Sequence, residues 1–467
     1  LSQASLCGHY ELVQLLLESG ALCERDTFQG ERCLYNALNN RIRNLLLQYD
    51  YSKSTDPLQP LAAHIASLLT RRQLQTSDIT LIAGSESFYL HKFILSARSP
   101  YFQKKLSTAP ETAQWKLAHT IPAEAFHIAI RYLYLGDVPA DLGIGPKSFV
   151  TEEEVFKGID KISRQLEIES LWQGILGGND RRLARQRHQD EVTRGRDQLE
   201  AWYRQYVLKH KIEVDTSRAD EVKWPHENGI FADVLLRADE PSEEDNAATE
   251  SNTQSTQTNA LGIPIGPSQS TADSTKPSRP RKSVLFPAHR AMLIRSEYFL
   301  TMFSSQFSEA QESPYLHIIS VDCSPQVLEV VLDFLYTEKA DFGLDIAIDV
   351  LLAADMLFIE KLKARAAVVI STLGDGRGGT LVDRTHVEAA DKEANGEVVD
   401  DEPINVYDVL RAGWLTRVQR LEEFAARYLA YRLEDYIDDL EFEDMIRESA
   451  MRIQGRQETD TIELLDE

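Results

Sequence analysis

Apolar and polar positions alternate with two periods along this chain, and the pattern is densest between Ser283 and Thr337. Val284-Leu285-Phe286 is a short apolar run that predicts a strand closed by Pro287. Met292, Leu293, Phe299 and Phe303 follow with charged residues between them, which predicts a helix. A polar loop leads to a second expected strand over Tyr315–Val321. Ser324-Pro325 has the make-up of a helix start, with a hydroxyl cap and a proline in the first turn. Val327, Val330, Val331, Phe334 and Leu335 then fall at i, i+3, i+4, i+7 and i+8, one buried stripe. The run strand, helix, strand, helix describes a compact unit that displays no catalytic group.

The same theme occurs about 200 residues earlier. Asp78-Ile79-Thr80-Leu81-Ile82 reads as a strand, Gly84-Ser85 as a turn and Phe88-Tyr89-Leu90 as the returning strand. His91-Lys92 leads into Phe93-Ile94-Leu95 and then Arg98-Ser99-Pro100-Tyr101-Phe102. Phe126, Ile130 and Leu133 form a helical stripe ending in Tyr132-Leu133-Tyr134. The later copy has Asp233-Val234-Leu235-Leu236, Ala288-His289-Arg290, Arg295-Ser296-x-Tyr298-Phe299 and Phe334-Leu335-Tyr336-Thr337 in the same order. The spacing from His to Arg differs by one residue, so the chain is an internal duplication. As a set these motifs resemble the core of a BTB/POZ domain, a protein-interaction module of the α+β class.

The flanking segments fill in a domain order. At the start, Leu12, Val13, Leu15, Leu16 and Leu17 make one helix and Leu45-Leu46-Leu47 another, a recurrence near thirty residues that marks helical repeats. Gly8-His9, Leu15-Leu16-Leu17-Glu18-x-Gly20-Ala21 and Gly30-x-x-Cys33-Leu34-Tyr35-x-Ala37 resemble ankyrin repeats, with Cys33 and Tyr35 departing from the usual Pro and His. Such a short array cannot bury a repeat core alone. Either more repeats precede Leu1, whose identity suggests a start inside a longer protein, or this is a cap packed on the next domain. Asn179–Lys211 is basic but carries interleaved acids, and Leu199, Trp202, Tyr203 and Tyr206 share one helix face. A connecting helix is the better reading there, and a nucleic-acid arm the weaker one. The Ser/Thr/Asn/Pro-rich run after Leu236 lacks apolar content and is expected to be disordered. It replaces a tight turn, and the logarithmic cost of loop length lets the hairpin survive it.

The expected domains are therefore residues 1–55, partial ankyrin repeats; 58–176, the first BTB/POZ domain; 177–212, a linking helix; and 213–373, the second BTB/POZ domain with an insert at 238–283. An acidic link at 374–403 precedes 404–467, whose helices around Val409, Trp414, Leu421 and Tyr428 resemble the BACK extension of cullin-3 substrate receptors, followed by an acidic tail. The order as a whole is similar to the ankyrin-repeat and BTB/POZ-domain protein family.

Charge and chemistry narrow the function. Lys+Arg 50 against Asp+Glu 74 gives a net charge of -24, which disfavours nucleic acid and anionic membranes as partners. Cys7, Cys23, Cys33 and Cys323 are too irregular for a disulfide framework or a zinc finger, so a reducing compartment, the cytoplasm with the nucleus as an alternative, is expected. No phosphate loop, HExxH or GxSxG occurs, and no cofactor or metal is implied. His91 and His289 sit at one place in both copies, which favours structural histidines over catalysts; Asp78 and Asp233 read as turn or interface carboxylates, and Cys323 as a buried core residue. What the resemblance implies is a substrate adaptor of a cullin-3 ubiquitin ligase, not an enzyme, with an unknown protein substrate. Cullin-3-binding members carry a hydrophobic-x-Glu motif that Phe307-Ser308-Glu309 matches, with Met302, Phe303 and Tyr336 completing the expected contact; the first copy has Leu106-Ser107-Thr108, without the acid. A loop Phe307 folded back on the core is the competing reading. The alternative function is a non-ligase scaffold or regulator of transcription or translation factors. Two copies in one chain are also expected to pair with each other, replacing the homodimer common in this fold.

Overall fold

The computed structural model describes residues 2–18, 33, 37–52, 59–71, 74–84, 86–117, 121–136, 151–176, 181–241, 281–304, 315–372 and 405–463. Contacts divide the chain into two units, residues 58–295 with 299–338, and residues 1–57 and 296–298 with 339–467.

The first of these holds both copies of the duplicated theme. In the earlier copy β1 (Ile79–Ala83) is the middle strand, antiparallel to β2 (Glu86–Leu90) and parallel to β3 (Gln114–Lys116). The inward positions of β1, Ile79, Leu81 and Ala83, are buried, as a period of two demands. Helices Lys92–Arg98, Pro100–Thr108 and Ala123–Leu133 follow, the last burying Phe126, Ile130 and Leu133 as its stripe predicts. Helix Glu152–Gln165 opens on a capping box in which Thr151 and Glu154 satisfy each other's backbone amides.

The later copy repeats this with one strand more. Here β4 (Ile212–Asp215), β5 (Val234–Asp239), β6 (Lys282–Ala288) and β7 (His317–Ser320) lie in the order β4-β6-β5-β7. Two expectations are corrected. Pro287 does not close its strand, because β6 runs through it, with Pro287 opposite Leu235. β4 pairs with β6 only as far as Leu285, so the missing N–H of Pro287 leaves no strand pair unmade. The single expected helix over Met292–Phe303 is two, Arg290–Leu293 and Glu297–Ser304, broken where Ile294 leaves helical geometry. Helix Pro325–Thr337 starts as expected, with the Ser324 hydroxyl accepting the Val327 N–H and proline in the first turn, and Glu338 ends it at φ 58.

Between the copies runs the linking helix, Arg181–Trp202, which widens to a π turn at Tyr203–Val207 and tightens at Leu208–His210 before β4. Leu199, Trp202 and Tyr203 are buried, which is the docked face expected of them. Two of the basic side chains there are paired, Arg194 with Glu191 at 2.5 Å and Arg204 with Glu200 at 3.1 Å.

In the other unit, helices Ser2–Cys7, Tyr10–Glu18 and Asn40–Ser52 enclose Ala4, Val13, Leu17, Cys33, Ile42 and Leu46. The Ser5 hydroxyl donates to the Cys33 carbonyl at 2.9 Å. Helices Ala347–Met356 and Glu360–Ser371 pack on Val406–Thr416 and Gln419–Tyr431, so the last part of the expected domain 213–373 groups with the C-terminal helices. Of the positions read there, Val409 and Leu421 are buried and Trp414 and Tyr428 half-buried. The tail continues as helix Leu440–Glu463. The link at 374–403 and most of the insert at 238–283 lie outside the described residues.

Candidate protein-interaction site

Each copy builds the same polar knot where its hairpin meets its first helix. His91 caps the helix Lys92–Arg98 with extended backbone, as His289 does for Arg290–Leu293. The His91 backbone N–H donates to the Tyr134 hydroxyl at 2.8 Å, and the ring Nδ1 lies 3.0 Å from the same oxygen. In the later copy the distances to the Tyr336 hydroxyl are 3.0 and 2.7 Å. Nε2 of His289 faces the Ile230 carbonyl at 3.0 Å. A carbonyl only accepts, so Nε2 carries the proton and Nδ1 accepts from the tyrosine. The Tyr336 hydroxyl thus accepts from the backbone and donates to the ring, while Nε2 of His91 faces the Thr76 hydroxyl at 2.8 Å instead. Burial lowers the His91 pKa to about 3 and the His289 pKa to about 4.

The aspartates serve the same helix starts. Asp78 Oδ1 accepts the Lys92 N–H at 2.7 Å, and Asp233 Oδ1 accepts the Arg290 N–H at 2.7 Å. An arginine ties off the far end. Arg98 donates to the carbonyls of Leu133 and Tyr132 at 3.3 Å each, and Arg295 to those of Phe334 and Leu335. Their carboxylates differ: Glu191 on the linking helix, 2.7 Å from Arg98, and Glu338 for Arg295. The serine that follows, Ser99 or Ser296, donates at 2.6 Å to the carbonyl of Leu166 or Leu357. These constellations hold the helix starts and ends of the two copies, as the structural reading of the histidines expects. Cys323 is half-buried rather than core.

The two copies meet directly. Phe93 of the earlier copy stacks on His289 of the later one, with ring centroids 4.3 Å apart. His64 Nε2 donates to the Ala291 carbonyl at 2.7 Å. Trp202 from the linking helix closes the seam, lying 7° from parallel to Phe231 and 6.1 Å from Phe93. Tyr203 stacks on Tyr336 at 4.2 Å. Pairing within one chain is therefore what the structure shows.

The expected contact residues are distributed unevenly. Phe303 and Tyr336 are 3% and 2% exposed, so both face the interior. Met302 is half-buried at the end of helix Glu297–Ser304. Phe307 and Glu309 lie outside the described residues. Sequence reasoning missed Glu191, Gln198 and Gly195, which seat Arg98 against the linking helix. Glycine in the middle of that helix was the available signal. Among the described residues no group of His, Cys, Asp or Glu is placed to hold a metal ion, and no helix is long and apolar enough to cross a membrane.

The family model for the BTB/POZ domain matches residues 68–157 and 281–372. The chain is 33% identical over 470 residues to BTB/POZ domain-containing protein 3 of Schizosaccharomyces pombe, covering 99% of this chain and 73% of that protein. It is 31% identical over 478 residues to an ankyrin repeat-containing protein of Saccharomyces cerevisiae, covering 99% of this chain and 80% of that one. The solved BTB domain of human gigaxonin is 20% identical, covers 26% of this chain and 92% of its own, and has a TM-score of 0.19.

Proposed function

The chain belongs to the BTB/POZ-domain protein family, and on that premise we propose that it is a substrate adaptor of a cullin-3 ubiquitin ligase. It performs no chemistry itself; it raises the effective concentration of a bound substrate near the ligase. The later copy docks the cullin, the earlier one packs against it, and recruitment falls to other surfaces. The observation that carries this reading is the stretch Met302-Phe303-Ser304-Ser305-Gln306-Phe307-Ser308-Glu309. Its helix is pinned from inside by Phe299 and Phe303, which stack 6.1 Å apart, while Met302 keeps an outward surface. An apolar residue beside a charge next to a rigid helix end suits a central anchor of an interface. The free thiols of Cys7, Cys33 and Cys323 fit a cytoplasmic or nuclear setting.

Binding of the whole chain to a cullin-3 N-terminal region, wild type against Phe307→Ala/Glu309→Ala, tests this. Loss of a central anchor costs about 2 kcal/mol or more, roughly thirtyfold in affinity. A folded wild type that does not bind would move the scaffold reading to first place.

A further inference from the structure

Strand β2 is an edge: β1 pairs with its inner side, and among the described residues no strand pairs with its outer side. The later copy shows how this chain covers the equivalent edge. There β6 lies between β5 and β4, and β4 reads Ile212-Glu213-Val214-Asp215, alternately apolar and acidic. It sets Ile212 opposite Leu285 and Glu213 opposite Val284. The pair Ile79–Leu90 matches Val234–Ala288, each just before its histidine, so Ser87 and Glu86 stand where Leu285 and Val284 stand.

In the earlier copy that position continues into a cleft of about 1020 Å³. Its floor is Ser87–His91 of the edge strand, and one wall is His127, Ile130 and Arg131. The other wall comes from residues 68–71 and 74–77. Apolar surface from Leu68, Phe88 and Ile130 is interleaved with the cations Arg71 and Arg131. Among the described residues the lining contains no carboxylate, in a chain of net charge -24. Glu86 and Asp78 are the acids nearest along the chain, both exposed. Nη1 of Arg71 is buried and has no hydrogen-bond partner among the described residues. On the strand itself Tyr89 is 55% exposed.

We infer that the β2 edge and its cleft bind an extended peptide of a partner protein as an added antiparallel strand, one whose side chains alternate apolar and acidic. Main-chain pairing to β2 supplies affinity whatever the sequence, and alternate side chains supply selectivity, one set against the apolar floor and the other against Arg71 and Arg131. The inference concerns the earlier copy and is independent of cullin docking through the later one.

The probe is a fluorescein-labelled octapeptide copying residues 211–218, the chain's own edge-covering strand, titrated against the whole chain by anisotropy at low salt. A second peptide carries N-methyl groups on alternate amides, and a third has lysine at both acidic positions. The expected result is saturable binding that weakens at least tenfold with either altered peptide, and likewise in Arg131→Glu or Arg71→Glu, with melting temperature unchanged. The altered peptides leave the protein untouched, so the test stands even if a variant folds poorly. Absence of saturable binding at millimolar peptide would overturn the inference, as would binding indifferent to N-methylation or to Arg131→Glu. Sedimentation showing self-association that Arg131→Glu abolishes would give the edge to a second copy of this chain and overturn it too.

Discussion

The ring of Phe93 lies over the imidazole of His289, 25° from parallel and 4.3 Å between centroids. One residue comes from each copy of the duplicated unit, and Trp202 packs against both, 6.1 Å from Phe93 and 5.6 Å from His289. A histidine already fixed by a tyrosine and a carbonyl offers a flat, immobile, neutral face. Stacking an aromatic on it adds about 0.5–1.5 kcal/mol beyond the area buried.

Phe93→Ala removes the stack and opens a cavity between the copies. The expected destabilisation is about 3–5 kcal/mol, measured by urea unfolding at neutral pH. Tyr89→Ala, on an exposed strand position, is the control and is expected to stay within about 0.5 kcal/mol of wild type.

Because each copy covers the other, the surface that pairs them is used within the chain. Light scattering over a wide concentration range is expected to return one mass, 52.9 kDa, independent of concentration. A stable dimer would count against internal pairing as the replacement for the homodimer.

Much of this architecture was legible beforehand. Asp78, His91, Arg98 and Tyr134 recur as Asp233, His289, Arg295 and Tyr336, and the aspartate and tyrosine bonds to the helix starts are the same in both copies. Local signals worked where local chemistry decides: Ser324-Pro325 caps a helix, and the stripe from Val327 to Leu335 is buried. What escaped was non-local. Phe93 reads as one apolar position among three, and nothing near it in the chain names His289 as its partner. β3 is three residues with exposed ends, and β4 begins just after the linking helix, so neither presents an alternating run long enough to count. The stretch from Met302 to Glu309 was read as a docking loop only through its likeness to a family motif, and Phe307 and Glu309 lie outside the described residues.

Gly195 is a close approach between the linking helix and the earlier copy. A Cβ there would stand 2.2 Å from Leu135 Cδ2 and 2.9 Å from Arg98 Nη1. The leucine tip can turn aside, whereas the Arg98 side chain, 1% exposed and held by two carbonyls and Glu191, cannot. Gly195→Ala gains helix propensity of about 1 kcal/mol and loses more to overpacking of about 1–3 kcal/mol. A net loss in melting temperature is expected, and a gain would show that the helix stands further off.

Arg98 is a buried cation whose donors are taken up by two carbonyls, Gln198 and Glu191. Arg98→Met strands those acceptors and leaves Glu191, which also pairs with Arg194 at 2.5 Å, without its inner partner. The expected cost is about 3–5 kcal/mol in an unfolding experiment. Glu191→Gln keeps an acceptor in place and should cost less than half as much.

The two capping histidines and His64 set the pH dependence of stability. Each is neutral when folded, because burial strips the imidazolium of its hydration. With folded values of about 3 for His91 and about 4 for His289, both below the ordinary 6.5, the unfolded chain binds more protons than the folded one between about pH 4 and 6.5. Stability therefore rises with pH across that window and is lost as pH falls through it, by on the order of 3 kcal/mol for His289. Asp78 and Asp233 act in the opposite sense: desolvation raises them to about 7 and about 6, so their contribution is present at low pH and is lost as pH rises. Buried His64, whose Nε2 faces the Ala291 carbonyl, is lowered to about 4 as well, so three histidines outweigh the two aspartates between about pH 4 and 6. Unfolding free energies measured at half-unit steps from pH 4 to 6.5 are expected to climb. In His289→Gln the climb should lose close to one proton's worth of slope, and an unchanged slope would show that His289 is charged in the fold.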